Sequence, residues 1–478
     1  MEFNSIKIAG GLVLTAICSC LNGQDKPNIL FILSDDHAPE AISAYGRSMI
    51  NTPNIDRIAK NGIRFTNCFA VSSICAPSRA CLISGKCNAL NGVLRIGGRL
   101  DGNQTTFPKV MQEAGYQTAI MGKWHLVSQP TGFDYYSVPN GMGTYYDCRL
   151  KSTGETWSDN GQGKEIMPGY FTDAITDKAI NWLEKRDSKK PFCLLLHHKA
   201  PHSPYKYPEK YDSIFKNRDL PLPQSFNDDY RGKNSTLVNN PCTQSKLQYI
   251  KGGNWLQPEP REEYGTEKYK KEVYQTIFKG YYRLVAGLDE NIGRILDYLE
   301  TSGLDKNTIV IYSSDNGYFM GEHGFFNKQW MYEESLRIPL IISLPGKKYK
   351  GKVIDKLVSE LDIPSTIINY ANYTSPSDFQ GSSLKPLIEG KEIIWRKSHF
   401  YHYYSQFEVP DNYGLRTEKY KLFCVVDPNN TLEWELYNLK LDPMEMQNQV
   451  NNPVYAKTID SLKIELNNAK NKYESVTR

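Results

Sequence analysis

Two acidic pairs carry the first chemical signal. Asp35-Asp36 follows an apolar run at 28–33, and Asp315-Asn316 follows another at 308–312. Three carboxylates and an amide oxygen brought together make a hard, oxygen-only cage, which suits Ca2+ or Mg2+ rather than zinc or copper. Either pair alone reads as a turn or helix cap, a common use of Asp and Asn. Two pairs on matching segments favour the metal. The second signal is the stretch SSICAPSRACLISGK at 72–86. Pro77 is placed for the first position of a helix and Gly85 for its end. Cys75 then lies just before a helix N-terminus, where free N–H groups and the dipole attract anions. A cysteine there is expected to be a nucleophile with a lowered pKa. Arg79, about one turn on, can fork onto a tetrahedral anion. A thiolate is nevertheless a poor partner for a hard cation, and that mismatch implies that Cys75 does not stay a cysteine. Cys81 and Cys87 read as core residues or a local pair.

Four apolar runs would position these groups. The run at 28–33 ends in Ser34-Asp35-Asp36-His37, and that at 116–121 ends in Gly122-Lys123-Trp124-His125. The run at 192–196 ends in His197-His198-Lys199-Ala200-Pro201-His202, and that at 308–312 in Ser313-Ser314-Asp315-Asn316-Gly317. Short apolar runs bounded by turn residues suit strands buried on both faces. Helical spacing appears at 54–61, 105–114, 173–185 and 268–299, the last with an expected break near Gly287. This alternation predicts an α/β fold, a doubly wound, mostly parallel sheet flanked by helices. Such sheets bind ligands beyond the carboxyl ends of their strands, where all four polar clusters fall. Residues 134–170 and 203–265 read as excursions over the rim of the site. A shift to Ser, Pro and Asn at 372–377 divides a catalytic domain, 24–375, from a small C-terminal α+β domain, 376–478. The latter is expected to hold strands at 398–404, 413–426 and 434–439, an antiparallel sheet, and a closing helix at 453–472.

The chain has 478 residues, 40% of them hydrophobic and 23% charged, an ordinary globular composition. A formal charge of +4 without a basic block gives no electrostatic support to nucleic-acid binding. Lys7 and the short apolar run at 8–17 read as a signal peptide over 1–23. Cys20, after Ile17-Cys18-Ser19, fits a bacterial lipoprotein cleavage site, and plain cleavage near Gly23 stays open. The expectation is an exported protein, periplasmic or on the bacterial cell surface, touching membrane only through a lipid on Cys20. No Cys-x-x-Cys pair supports a zinc site. A lone His125 would ordinarily be a structural hydrogen-bonder, and a lone Lys328 a solvated charge.

Cys75-x-Pro77-Ser78-Arg79, followed by Ser84-Gly85, resembles the signature of type I sulfatases, with Ser84 where threonine is usual. The resemblance extends in order through Pro27-Asn28-Ile29 into Asp35-Asp36, Gly122-Lys123-Trp124-His125, Ala200-Pro201-His202, Ser314-Asp315-Asn316-Gly317, and Lys328 with Tyr332-Glu333 and Arg337-Ile338-Pro339. Tyr413-Gly414-Leu415-Arg416-Thr417 and Trp434-Glu435-Leu436-Tyr437-Asn438 fit the family's C-terminal domain. The resemblance implies an alkaline-phosphatase-like fold, Ca2+ (Mg2+ less well suited), and oxidation of Cys75 to formylglycine by a formylglycine-generating or anaerobic sulfatase-maturating enzyme. It implies a cation held by Asp35, Asp36, Asp315, Asn316 and modified residue 75. A hydroxyl of hydrated formylglycine would attack sulfur, giving a sulfo-enzyme intermediate. His202 would protonate the leaving sugar oxygen, and His125 would take the proton that expels sulfate. Arg79, Lys123 and Lys328 would hold the sulfate oxygens.

The segment from Asp315 through Glu322-His323-Gly324 to Tyr332-Glu333-Glu334-Ser335 looks most like sulfatases for sulfated hexosamines, with 6-O-sulfated N-acetylglucosamine first and galactose-type esters next. Exo action on glycans or glycosaminoglycan fragments is expected, with His323 as a residue that either reaches the sugar or packs. Two other readings stay open: a phosphoester or phosphonate hydrolase of the same superfold, and a catalytically dead glycan-binding lipoprotein.

Overall fold

The computed structural model describes residues 26–46, 48–241, 243–252 and 256–475. The expected export segment, Cys20 and Cys242 lie outside them. Its strands, in chain order, begin with β1 (Asn28–Asp35), β2 (Ile63–Phe69), β3 (Gln117–Gly122), β4 (Tyr135–Pro139), β5 (Tyr146–Ser152) and β6 (Glu165–Tyr170). Next come β7 (Phe192–Pro201), β8 (Thr308–Ser314), β9 (Phe319–Met320), β10 (Phe326–Asn327), β11 (Arg337–Ser343), β12 (Lys352–Ile354) and β13 (Val358–Ser359). The last four are β14 (Ser398–Tyr403), β15 (Asn412–Thr417), β16 (Tyr420–Val426) and β17 (Leu432–Asn438).

The main sheet has 11 strands in the order β12-β2-β11-β8-β1-β7-β3-β4-β5-β6, with β13 also on β2. The four apolar runs are its centre, β8-β1-β7-β3, all parallel. That adjacency places the four polar segments that follow them along one sheet edge. β11 is antiparallel to both its neighbours, and β5 and β6 are antiparallel additions.

Alternation along β1 explains its burial on both faces. Ile29, Phe31 and Leu33 join the core cluster that includes Ala80 and Leu82 of the helix Cys75–Ser84 and Ile363 and Ile367 of the helix Asp362–Tyr370. Leu30 and Ile32 join the other, with Ile55 and Ile58 of Pro53–Asn61, Ile175 of Phe171–Lys185 and Leu288 and Ile292 of Glu267–Thr301. Burying each such side chain contributes roughly 1.5–3 kcal/mol.

Three expectations are corrected. The helix Glu267–Thr301 continues through Gly287, where a Cβ would come 3.1 Å from the Tyr211 ring, so the glycine makes room for packing and does not end the helix. Part of 134–170 is β4, β5 and β6, which extend the sheet rather than cover its rim. The stretch 413–426 is two strands, β15 and β16, folded back at Glu418-Lys419.

The C-terminal sheet is antiparallel, β14-β15-β16-β17. The helix Ala456–Glu474 closes it, with Ile459 and Leu462 on Leu422 and Leu436, and Leu466 on Phe400 and Leu415. Cys81 and Cys87 are buried and unpaired, as are the other described cysteines. No helix among the described residues is long and apolar enough to cross a membrane.

Candidate active site

The sheet edge concentrates charge that burial would ordinarily exclude. Asp35, Asp36, Asp315, Asn316, Arg79, Lys123 and Lys328 are each at most 3% exposed. Each acid meets one base. Arg79 Nε donates to Asp315 Oδ2 at 2.9 Å, Lys123 Nζ to Asp35 Oδ2, and Lys328 Nζ to Asp36 Oδ1 and Oδ2 at 2.5 and 2.7 Å. The acid loops are also tied together: the Asp36 N–H donates to Asp315 Oδ1 at 3.2 Å, and Asn316 Nδ2 to Asp36 Oδ1 at 2.7 Å.

Backbone geometry holds these groups in place. Asp36 and His125 adopt left-handed φ values of 64° and 63°, uncommon for residues with a side chain. Gly122, at φ 96°, precedes Lys123, and a Cβ there would stand 1.9 Å from the His197 carbonyl oxygen. At Gly317 a Cβ would lie 2.2 Å from the Glu334 carbonyl oxygen. Both turns therefore require glycine.

The donor set fits a hard cation. Ligand atoms of Asp35, Asp36 and His202 lie within 4.8 Å of one another. Asp35 Oδ1 and Asn316 Oδ1 are buried acceptors without a hydrogen-bond partner among the described residues. Two oxygens stripped of water and left unpartnered are costly unless a cation takes them. Asp315 is not part of that group of three; its oxygens meet Arg79 and the Asp36 amide. On the anion side, Arg79 Nη2 and His125 Nδ1 are also buried and unpartnered.

Electrostatics sharpen the picture. Burial raises the Asp35 carboxyl, but Lys123, His202, Arg79 and Lys328 together hold it well below the usual range. Burial wins at Asp36, whose pKa is raised with help from the Asp35 charge. Burial and Asp35 push Asp315 up to about 7. Burial, reinforced by Lys123, drives His125 well below its ordinary value. Burial drives His202 down as well, against the pull of Asp35. His202 Nδ1 lies 2.6 Å from the Ser203 carbonyl oxygen, which can only accept, so Nδ1 carries the proton. Nε2 then faces Asp36 Oδ2 at 3.6 Å.

Cys75 is the first residue of the helix Cys75–Ser84, not the residue before it, and Pro77 is its third. The expected lowered thiol pKa is overturned. Cys75 is fully buried, and burial pushes its pKa up despite Lys123 and Lys328. An unmodified thiol here is neutral, a poor nucleophile and a poor ligand.

His323 lies in a separate cluster. Its Nδ1 is 2.6 Å from Asp228 Oδ2, and Lys233 Nζ lies 2.8 Å from the same oxygen. The ring packs on Tyr332 and is 1% exposed. Its Nε2 has no hydrogen-bond partner among the described residues. Burial brings its pKa down to about 4. These contacts anchor the ring through Nδ1 and leave Nε2 open.

Sequence reasoning missed three supporting residues. Tyr145 donates to the His202 carbonyl oxygen at 2.6 Å, and Tyr281 donates to that of Asp36 at 2.7 Å. Glu360 Oε2 lies 2.5 Å from Ser78 Oγ. None stands in a motif, and no spacing signal would single them out. Lys199 packs over the Tyr145 ring at 5.2 Å, with Nζ 3.4 Å from the Ser203 carbonyl oxygen.

Comparison with known proteins gives a consistent result. The sulfatase family profile matches residues 27–373, and that of the N-sulphoglucosamine sulphohydrolase C-terminal region matches 321–472. An N-acetylglucosamine-6-O-sulfatase of Bacteroides thetaiotaomicron is 40% identical, over 96% of this chain and 89% of its own. A protein solved in complex with its substrate, D-glucosamine-2-N,6-O-disulfate, superposes with a TM-score of 0.86 at 38% identity, covering 94% of this chain and 98% of the other. The phosphonate monoester hydrolase of Agrobacterium radiobacter shares the fold, with a TM-score of 0.75 at 23% identity over 94% and 96% of the two chains.

Proposed function

The chain belongs to the sulfatase family, a carbohydrate sulfate-ester hydrolase, and from that premise we propose that it removes the 6-O-sulfate from N-acetylglucosamine at chain ends of sulfated glycans or glycosaminoglycan fragments. The observation that carries the substrate is the 40% identity, across 96% of the chain, to a relative named for that reaction. The solved relative's substrate also carries a 6-O-sulfate on glucosamine, with an N-sulfate instead of the acetyl group. The two relatives share the 6-O position and differ in the nitrogen substituent.

The reaction adds water across the ester: the sugar oxygen leaves with a proton, and sulfate leaves with the hydroxyl oxygen. Asp35, Asp36, Asp315 and Asn316 would hold a Ca2+, and the unpartnered oxygens of Asp35 and Asn316 support that assignment. Formylglycine at residue 75 would supply a hydrated aldehyde, an oxygen nucleophile that also removes the mismatch between thiol and hard cation. Arg79, Lys123 and Lys328 would offset charge on the sulfate oxygens, and the unpartnered Nη2 of Arg79 supports that role. With Nδ1 committed to the Ser203 carbonyl, His202 would offer Nε2 to the leaving oxygen. It must be imidazolium to act as an acid, and an anionic ester beside it favours that form against the burial that lowers its pKa. His125, neutral through burial, is suited to accept a proton.

Export through the segment 1–23, a lipid on Cys20 and maturation by a formylglycine-forming enzyme are part of the same proposal, and rest on the sequence. The test is sulfate release by matured protein from a panel of defined saccharides. N-acetylglucosamine 6-sulfate, or its N-sulfated counterpart, should lead. Preference for a galactose or N-acetylgalactosamine ester would refute the substrate assignment.

A further inference from the structure

Glu360 follows β13 and is fully buried beneath the helix Cys75–Ser84. Its Oε1 accepts the Val71 N–H at 2.7 Å, and its Oε2 lies 2.5 Å from Ser78 Oγ. Ser78 Oγ lies 2.5 Å from a second oxygen, the main-chain carbonyl of Asp315. The three groups form a line from the edge of the sheet, through the first turn of the residue-75 helix, to the loop that carries Asp315 and Asn316.

Proton counting decides the state of this line. A serine hydroxyl has one hydrogen, and a carbonyl oxygen can only accept. If Ser78 gave its hydrogen to Glu360, two oxygens would face each other at 2.5 Å with nothing between Ser78 and Asp315. If Ser78 gives it to Asp315, the Glu360 contact needs a hydrogen of its own, and only the carboxyl can provide it. The distance of 2.5 Å suits an O–H donor to oxygen. An ionised Glu360 would also lack a counter-charge: among the described residues no lysine or arginine acts on it, and the charged neighbour that does is the like-signed Asp315. The titratable groups it influences on flanking elements, Cys68 of β2 and Cys81 of the helix, are thiols that burial keeps neutral. A buried, uncompensated carboxylate is disfavoured strongly enough to take up a proton instead.

We propose that Glu360 is a neutral, protonated carboxylic acid, a positioning residue that relays one hydrogen bond through Ser78 to the Asp315 carbonyl and so sets the spacing between residue 75 and the Asp315–Asn316 loop. Its catalytic consequence rests on the sulfatase reading given above, whereas its protonation does not. Ser78 thereby has a role in the folded protein besides its place in the sequence around Cys75.

The test pairs infrared spectroscopy with kinetics on the full chain. The wild-type minus Glu360→Gln difference spectrum should contain a protonated-carboxyl stretch that persists through neutral pH. Only ionised-carboxylate bands at neutral pH would overturn the proposal. Glu360→Ala should lower kcat about tenfold or more with little change in KM, and Glu360→Gln, whose amide can donate to Ser78 and accept from Val71, should restore kcat to within about threefold. Conversion at residue 75 is measured by mass in each variant, so that loss of maturation is not mistaken for loss of positioning. A Glu360→Gln protein no better than Glu360→Ala, or with its acid limb shifted as removal of a charge would shift it, overturns the proposal. If no sulfate ester is hydrolysed by any form, the functional reading fails, while the infrared result still decides the protonation.

Discussion

At the sheet edge, acids crowd: Asp35, Asp36 and Asp315 share Lys123, Lys328 and Arg79, one base each. At the seam between the main and C-terminal sheets, bases crowd instead. Glu333 meets Arg416 through both oxygens, at 3.2 Å each, together with Arg337 and, at 3.0 Å, Lys421. The two regions are similarly buried; cations hold Asp35 at the edge and Glu333 at the seam below the usual range, but Asp36 and Asp315 go the other way. Three cations overcome burial and hold Glu333 well below the usual carboxylate range. At the sheet edge burial and like charge win at Asp36 and at Asp315, which is raised to about 7. Glu445, which shares Lys421 with Glu333, is raised by burial too, so the settled acid of the seam is Glu333. The difference separates a structural tie from a site prepared for more positive charge. Glu333 has its counter-charges in the fold, and the acids of the sheet edge call for one more.

That contrast sets the order of expected effects. The largest should come from Lys328→Met or Asp36→Asn, each lowering kcat/KM by roughly 10^3-fold or more while thermal unfolding shows a folded protein. Glu333→Ala should do the reverse. It strands Arg416, Arg337 and Lys421 in the interior and should cost about 3–5 kcal/mol in denaturant unfolding, with turnover per folded molecule preserved. If Lys328→Met unfolds the protein, or Glu333→Ala leaves its stability unchanged, the contrast collapses.

Chelation should act on one region alone. Removing Ca2+ is expected to lower Tm and activity together, and restoring it to 100 times its Kd should return about 2.7 kcal/mol. In Asp36→Asn that Ca2+ response should shrink or vanish, whereas Glu333→Ala should keep it. The smallest effect belongs to a third cluster, where His402 lies between Asp411, at 2.9 Å, and Glu474 of the closing helix. Burial lowers its pKa, but the two carboxylates more than compensate and raise it above the ordinary value. Its contribution should be fully present below about pH 6.5 and be lost as pH rises through the raised folded value. His402→Gln should remove about 1 kcal/mol of stability on the acid side and flatten that dependence in unfolding measured across pH.

Much of this was legible in the sequence because the main sheet is built from local signals. The four apolar runs are neighbouring strands, and each polar cluster leaves at a carboxyl end, where the fold class places ligands. The helix after Cys75 was legible from Pro77 and Gly85 to within two residues at its start. The misses have a common cause. Gly287 suggests a break by propensity, and only the Tyr211 ring shows why the helix passes through it. β4 to β6 lie in a Gly- and Tyr-rich stretch, and each is placed only by pairing with the strand before it, from β3 onward. Cys75 suggested an activated thiol by its position at a helix start, but burial, which depends on the whole fold, outweighs the nearby cations. Glu360, Tyr145 and Tyr281 matter only through the residues that folding brings to them.

The raised thiol pKa and the oxygen-rich surroundings of residue 75 support the central proposal, that the working group there is formylglycine. The direct measurement is the mass of the peptide that contains residue 75, taken from fully active protein matured in its host. The account expects that peptide to be about 18 Da lighter than the cysteine form, as replacement of sulfur and two hydrogens by oxygen requires, with the converted fraction tracking the rate of sulfate release. Full activity from protein whose residue 75 is entirely unmodified cysteine would contradict it.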